Sequence, residues 1–300
     1  MKKVLITGKT SYIGRSFKAY IERNYPNEFQ VDSISVRGEK WRRYDFSKYD
    51  VVLQLAGKAH ADVKNVSKQE QQEYYVINKD LAKEVAIKYK RERHGFSQFI
   101  YFSSIIVYGT GENKITANTK PNPDNFYGDS KIQAEHALME LVSENFQILI
   151  IRPPMVYGPG SRGNFQTLVK LALKLPFFPK INNSRSMIYV DNLSEFIRRL
   201  VLSKSKTNRY FPQNLNYVNT SNLVKQIRAE ENKKTLLVIG FNGLLKLLLN
   251  KNTALSRYLD KAFGTLVYDK SLSETTKIKL EDYQNTDFYK SVGKSVKNIF

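Results

Sequence analysis

The 300-residue chain has no cysteine, one tryptophan, three histidines and nine prolines. Without cysteine there is no disulfide framework, no thiolate nucleophile and no cysteine metal site, which suits a reducing compartment. His60, His94 and His136 have no ligand spacing with carboxylates, so no metal is expected. Acidic residues are scarce too: 28 Asp and Glu against 48 Lys and Arg leave a net charge of +20. Such an excess points to nucleic acid, an anionic membrane or phosphorylated ligands. The basic residues, Arg42-Arg43, Lys88, Arg198-Arg199 and Lys233-Lys234 among them, are spread along the chain with no long block and no nucleic-acid motif. That spread argues against specific nucleic acid and for a solvated basic surface that meets phosphorylated ligands, with weak membrane attraction left open. Long apolar runs are missing as well. The stretch 236–249 is broken by Asn242 and Lys246 and is too short to span a bilayer. The run after Met1-Lys2-Lys3 stops too soon for a signal peptide. The expectation is a soluble, cytoplasmic protein with no transmembrane segment, of one large or two modest domains.

What is present is organised around residues 103–131. A strand-like run at 98–102 leads into Ser103-Ser104-Ile105-Ile106-Val107-Tyr108-Gly109, then a polar loop, then Tyr127-Gly128-Asp129-Ser130-Lys131 opening an amphipathic helix. The Y-x-x-x-K spacing of Tyr127 and Lys131 puts both side chains on one helix face. A phenol is a poor base at its reference pKa of about 10, but a nearby ammonium favours the phenolate. The pair therefore predicts proton exchange with a carbinol or carbonyl oxygen. Ser104, at the end of the preceding strand, is placed to hydrogen-bond that same oxygen. Alone, the frame is an ordinary helix face; its weight comes from what lies upstream.

Val4-Leu5-Ile6 predicts a buried strand, followed by Thr7-Gly8-Lys9-Thr10-Ser11-Tyr12-Ile13-Gly14 and a helical pattern through Phe17, Tyr20 and Ile21. This is the strand, glycine loop and helix of a dinucleotide site, where N–H groups at a helix N-terminus receive a pyrophosphate. Gly8 serves the tight turn, Gly14 the close packing of the helix, and Ser11 stands where the middle glycine is usual. The next strand-like run, 29–36, ends at Arg37 with no carboxylate for a ribose 2′-hydroxyl. An arginine there suits a 2′-phosphate, which favours NADP over NAD, the competing reading being a surface arginine. Asp45 and Phe46 are candidate adenine-edge contacts. The strand 51–55 closes on Leu55, Ala56 and Gly57, small enough for a cofactor to lie across its end. His60 is a candidate neighbour of substrate or nicotinamide ribose, or an ordinary loop residue. A helix over about 70–91 carries Asn78, by itself a surface amide.

Downstream, a strand at 147–151 precedes Arg152-Pro153-Pro154-Met155-Val156-Tyr157-Gly158-Pro159-Gly160, whose two prolines predict a rigid loop at the sheet's carboxyl edge. Asn164 opens a helix through Leu173. Residues 175–179, with Phe178, read as a rigid apolar loop able to wall a base. Arg185, just before a strand and a helix, is a candidate for a substrate diphosphate. Beyond about residue 208 short strands are expected at 216–219 and 265–269, and helices at 221–231 and 244–249, with no internal repeat.

In this order the marks T-G-x-x-x-x-I-G at 7–14, Ala56-Gly57, Asn78, S-x-x-V-Y-G at 104–109, Tyr127 with Lys131, R-P-x-x-V-Y-G-P-G at 152–160 and R-x-x-x-Y-V-x-N-L at 185–193 resemble the extended short-chain dehydrogenase/reductase family, the NAD(P)-dependent sugar epimerases and dehydratases. The resemblance covers roughly the first two thirds of the chain. It implies an α/β fold, a Rossmann-type doubly wound parallel sheet of about seven strands with a smaller C-terminal α/β region for a nucleotide sugar. The implied division is a dinucleotide-binding domain over 1–155, with 186–205 returning to it, and a sugar-binding region over 156–300. Ser104, Tyr127 and Lys131 would be catalytic, with Asn78 supporting the lysine. Gly8, Ser11, Tyr12, Ile13, Gly14, Arg37, Asp45, Phe46, Leu55, Ala56, Gly57, Asn78, Ser103 and Pro154 would line the cofactor, together with Tyr127 and Lys131. His60, Ser104, Asn164, Phe178 and Arg185 would meet the substrate. A homodimer through the helices near 70–91 and 131–144 is also implied.

Within that family the 4,6-dehydratases carry an Asp-Glu pair directly after the catalytic serine or threonine. Here Ile105 and Ile106, which cannot move protons, fill those positions. The 3,5-epimerase/reductases use a Cys and His pair, and there is no cysteine. Two readings remain. The preferred one is NADPH-dependent reduction of the C4 ketone of a UDP-4-keto-6-deoxy-N-acetylhexosamine for capsule or O-antigen, as in bacterial UDP-2-acetamido-2,6-dideoxy-hexulose 4-reductases that make UDP-N-acetylfucosamine or UDP-N-acetylquinovosamine. The alternative is a UDP-glucose or UDP-GlcNAc 4-epimerase with tightly bound NAD. A non-catalytic dinucleotide-binding protein is a further alternative, opposed by the presence of both Tyr127 and Lys131.

Overall fold

Val4, Leu5 and Ile6 are all buried, as in a strand covered on both faces. The computed structural model describes residues 1–59, 66–161, 163–203, 207–240 and 263–297. In chain order its strands are β1 Lys2–Thr7, β2 Phe29–Ile34, β3 Val51–Gln54, β4 Ser97–Phe102, β5 Lys114–Ile115, β6 Phe146–Ile151, β7 Met155–Tyr157, β8 Phe177–Pro179, β9 Met187–Tyr189, β10 Arg209–Tyr210, β11 Leu236–Val238 and β12 Val267–Tyr268. The helices are α1 Tyr12–Asn24, α2 Lys68–Tyr75, α3 Leu81–Glu92, α4 Phe126–Met139, α5 Asn164–Lys174, α6 Val190–Ser203, α7 Thr220–Ala229 and α8 Phe288–Val296.

Among the described residues a six-stranded sheet runs in the order β10-β6-β4-β3-β1-β2, one strand fewer than the seven or so implied by the resemblance. Every pairing in it is parallel. Alternate residues of each strand face opposite layers. Val4, Ile6, Val51, Leu53, Ile100 and Leu149 meet α1 and α6 through Phe17, Ile21, Phe196 and Ile197. Leu5, Val52, Phe99, Tyr101, Ile148 and Ile150 meet α3 and α4 through Val85, Tyr89, Ala134 and Leu138. The first of these layers also takes in Ile278, Leu280 and Tyr283 from near the end of the chain. Tyr283 stacks edge-on to Phe196 at 5.2 Å, and Asn285 donates to the Tyr20 hydroxyl at 2.7 Å. The chain thus returns to the sheet through α6, through β10 and again near residue 283.

The helix expected over 70–91 is one continuous helical rod with a defect. Ser67 and Glu70 form a capping box that starts α2. A π turn, Val76–Asp80, then separates α2 from α3. The extra residue turns Asn78 inward, where it is buried; such bulges recur at functional sites.

A second layer is built from α5, α7 and α8 around Tyr157, Phe165, Val169, Phe178, Leu223 and Ile227, with three two-stranded pairings, β8-β11, β5-β12 and β7-β9. Several expectations change here. Residues 175–179 are not a loop: Phe177–Pro179 pair in parallel with Leu236–Val238. The prolines at 153 and 154 end β6, but the chain resumes at once as β7, paired to β9. No strand forms over 216–219, where Val218 makes only an isolated bridge to Arg185. β2 stops at Ile34, two residues before Val36. The helix expected at 244–249 lies outside the described residues.

Candidate functional site

Strand order reverses between β1, which leads to β2 on one side, and β3, which leads to β4, β6 and β10 on the other. Loops leaving two such strands diverge, so a crevice opens at the carboxyl edge there. Gly8 sits at its floor with φ +97°, and a Cβ on it would lie 2.7 Å from the Ala56 nitrogen. Both the left-handed backbone and the close approach of Ala56 require glycine. Ser11 is the N-cap of α1: its hydroxyl accepts from the Gly14 N–H at 3.3 Å, and its own N–H donates to the Gly8 carbonyl at 2.8 Å. The first turn of α1 carries no acid, so its dipole remains available to an anion. Ile13 packs toward the sheet and Tyr12 toward the second layer.

The carbonyl of Ile34 accepts the N–H groups of Gly8 at 2.9 Å and Lys9 at 3.0 Å. Ser35 is therefore the residue that leaves β2 beside the glycine loop, a position passed over in the sequence. Arg37 is exposed two residues further on, its N–H donating to Ser35 Oγ at 3.3 Å. An open cleft of about 270 Å³ lies beyond β2, lined by Val36, Gly38, Trp41, Arg42, Ile77 and Glu84 among others. Asp45 is exposed, its carboxyl held below the usual range first by the Ser47 hydroxyl and then by the Ser47 N–H. The Phe46 ring lies in the core, buried among Trp41, Tyr44 and Tyr89, and its N–H donates to Glu92 at 3.1 Å.

On the other side of the crevice α4 starts at Asn125, whose side chain accepts from the Gly128 N–H at 2.9 Å. One turn in, Lys131 is buried, its Nζ donating to the Phe102 carbonyl at 2.9 Å and lying 4.8 Å over the Tyr101 ring. A Cβ on Gly57 would stand 3.3 Å from that Nζ and 3.0 Å from Asn78 Oδ1, so the lysine, the amide and the loop after β3 converge. Asn78 clips that loop from both directions, accepting from the Lys58 N–H at 2.8 Å and donating to the Lys58 carbonyl at 3.1 Å. It also donates to Ser130 Oγ at 3.0 Å, while its own carbonyl accepts from the Tyr101 hydroxyl at 3.0 Å. The surface reading of Asn78 fails, and it reaches the lysine through Ser130 and Tyr101 rather than by a direct bond.

Tyr127 packs edge-on to Tyr74 at 6.1 Å. Burial pushes its phenol up to about 12, the Ser104 hydroxyl draws it partly back by a hydrogen bond, and Tyr74 adds to the rise. The expected acidifying ammonium is not what sets this phenol: burial dominates it. Burial likewise brings the Lys131 amine down to about 8, partly opposed by Glu135. Without a ligand, the pair is a protonated phenol on a serine hydroxyl, beside a lysine whose charge is only just retained at neutral pH.

Glu135, one turn beyond Lys131 and fully buried, was missed in the sequence. Its carboxylate accepts from Arg152 Nε at 2.9 Å and Nη2 at 2.5 Å and from Ser103 Oγ at 2.5 Å. Arg152 also donates to the Tyr108 hydroxyl at 2.6 Å. Ser103 and Arg152 thus meet on one carboxylate, and Arg152 carries the tie on to Tyr108. The signal was present as an acid four residues from Lys131 on the same helix face, but nothing local marked its partner.

Among the other candidates, Leu55 and Ala56 lie at the crevice with Gly57, and Pro154 is buried just after Arg152. Asn164 is exposed as the first residue of α5, Phe178 points into the second-layer core, and Arg185 Nη1 donates to the Gly264 carbonyl at 2.9 Å. His60 lies outside the described residues. Among the described residues no group of acidic or histidine side chains has the arrangement of a metal site, and no helix is long and apolar enough to cross a membrane.

The profile described as the NAD dependent epimerase/dehydratase family matches residues 4–211. An N-acetyl-alpha-D-glucosaminyl-diphospho-ditrans,octacis-undecaprenol 4-epimerase from Escherichia coli O157:H7 is 30% identical over 220 residues, 70% of this chain and 62% of the relative. A UDP-glucose 4-epimerase from Vibrio cholerae is 32% identical over 192 residues, 61% of this chain and 58% of the relative. The chain therefore spans about six tenths of each relative's length. A dTDP-4-dehydrorhamnose reductase from Yersinia enterocolitica superposes over the whole of both chains with a TM-score of 0.67 at 19% identity, which bears on the fold.

Proposed function

This chain belongs to the NAD-dependent epimerase/dehydratase family, and on that premise we propose that it reduces the C4 ketone of a UDP-4-keto-6-deoxy-N-acetylhexosamine with NADPH. The observation that carries the reading is Tyr127 beside Ser104 on the helix face of Lys131: its phenol, pushed up by burial to about 12, can give a proton to a ketone oxygen, and the absence of a dehydration acid or base favours simple reduction. The crevice suits a dinucleotide on structural grounds. Side-chain-free backbone at Gly8 and an acid-free, uncapped-by-charge start of α1 receive a diphosphate, and Lys131 and Asn78 stand where the loop after β3 would meet the ribose. Bound there, the nicotinamide supplies the hydride. Tyr127 would supply the proton, Ser104 would orient the oxygen that takes it, and Lys131 would hold the cofactor. Ile105 and Ile106 offer no acid or base for dehydration. In this reading residues 1–155 and the returning 186–205, extended in the sheet to Tyr210, hold the dinucleotide, and α5, α7 and Arg185 grip the sugar diphosphate. A homodimer through α2, α3 and α4 is part of the same proposal.

The second reading is 4-epimerisation of a diphosphate-linked hexose with retained NAD, favoured by the names of both sequence relatives. The two separate in one experiment. Incubated with the UDP-4-keto-6-deoxy-N-acetyl sugar, a reductase consumes NADPH one for one with ketone. Conversion of UDP-GlcNAc or UDP-glucose to its C4 epimer without net change in added cofactor establishes the epimerase and ends the reductase proposal.

A further inference from the structure

We propose that the face made by the end of α5, β8 and β11 docks on an anionic phospholipid bilayer. The other exposed apolar side chains of the described residues are scattered singly, Ile87 and Leu202 on helices and Val142 in the turn after α4 among them, and single ones are unremarkable. This face is different. Phe177 is 52% exposed, Leu236 68% and Ile239 77%, with Leu171 and Leu175 beside them.

Apart from Ile239, which follows β11 in a bend, these side chains share one support. Leu236 is the direct ladder partner of Phe177, and the Leu236 N–H donates to the Pro176 carbonyl at 3.0 Å. Buried Arg228 ties the Ala172 and Leu175 carbonyls, both at 2.8 Å, to the Lys234 carbonyl at 2.7 Å. The end of α5 and the start of β11 are thus clamped into a single preformed surface.

Its charge is mostly positive, with Glu231 just before Lys233 the nearest exposed acid in the sequence. Lys170, Lys174, Lys233 and Lys234 are exposed around the apolar tips. The sequence carries no Asp or Glu anywhere from 145 to 190, nor from 232 to 240. Aliphatic and aromatic tips ringed by lysines match the boundary between lipid headgroups and acyl chains, where the tips insert and the ammonium groups meet phosphates. A second copy of this chain is the poorer occupant, since a two-fold contact would bring the same lysines against one another. The proposal does not depend on which C4 reaction the chain performs.

The test is flotation of the full chain with vesicles of phosphatidylcholine and phosphatidylglycerol at about 2:1, and with phosphatidylcholine alone, in low salt and in about 1 M NaCl. The chain is expected to float with the mixed vesicles at low salt, to stay behind with phosphatidylcholine alone, and to be released by salt. The double substitution Leu236→Ser, Ile239→Ser is expected to lower the bound fraction about ten-fold with unchanged thermal unfolding. Lys174→Glu with Lys234→Glu is expected to lower it by a similar factor. Failure to float overturns the proposal. So does flotation that the Leu236 and Ile239 substitutions leave intact, which would mark charge attraction of a +20 chain without docking. So does a wild-type dimer that the same substitutions convert to monomer without any lipid binding.

Discussion

Tyr127 keeps its proton because burial disfavours the phenolate, so its replacement is the most informative single change. Tyr127→Phe keeps the ring against Tyr74 and removes the hydroxyl. Turnover should fall by about 100-fold or more, while NADPH affinity, read by fluorescence, should hardly change; near-normal turnover would remove the residue from the chemistry. Lys131 makes a different prediction. Its amine lies near 8 in the folded chain against 10.5 ordinarily, so below about pH 8 it is charged in folded and unfolded states alike and its burial costs roughly 3 kcal/mol. Between those values the folded chain loses its proton first, and stability gains as pH rises through that window. Lys131→Met lacks this dependence. Urea unfolding at several pH values should show the wild type losing ground to Lys131→Met as pH falls from about 10 to about 8, and parallel curves would contradict the buried amine.

At the level of elements, Glu135 and Arg152 join α4 to the ends of β4 and β6, with Ser103 and Tyr108 on the same carboxylate and guanidinium. Removing one partner of a buried pair strands the other charge, so Glu135→Ala should cost about 3–5 kcal/mol in urea unfolding. Glu135→Leu with Arg152→Leu should recover much of that stability but not activity, because the tie to Ser103, the chain neighbour of Ser104, would be gone. Equal loss in the single and double variants would show that the pair acts only as packing. This pairing also shows why legibility in the sequence was uneven. The strand-glycine-helix start, the Tyr127 to Lys131 spacing and the amphipathic helices were readable because each is set within one element. The partner of Glu135 lies across two strands, and no local pattern reports it. Phe46 and Phe178 were read as ligand-facing, yet an aromatic ring alternates between core and cleft according to tertiary packing, and both face the core. The π turn was equally invisible: periodicity over 68–92 showed a helix, whereas the inward turn of Asn78 depends on one additional residue relative to the regular repeat.

For the whole molecule, the reach of the family match is not a boundary of the fold. Residues 4–211 take in five strands of the sheet whole and β1 from Val4 on, yet Ile278, Leu280 and Tyr283 complete the layer between it and α6, and Asn192 bonds Thr286 in both directions at 3.0 Å. A chain ended after Phe211 should therefore expose Phe196 and Leu200 and fail to give a cooperative thermal transition by circular dichroism. A cooperative transition with native-like near-ultraviolet signal would show the sheet to be autonomous. Basic charge enters at this scale also. A solvated +20 surface raises the local concentration of anionic ligands, so association with a sugar diphosphate should slow as salt increases, measured by stopped-flow.

The late arrival of residues 278–286 sets an order of events in the cell. Of the strands of this sheet β1 is translated earliest, and it cannot finish its core until more than two hundred further residues have been added. Until then the Phe196 side of the nascent sheet lies open, and chaperone engagement during translation should concentrate there, ending when Tyr283 emerges.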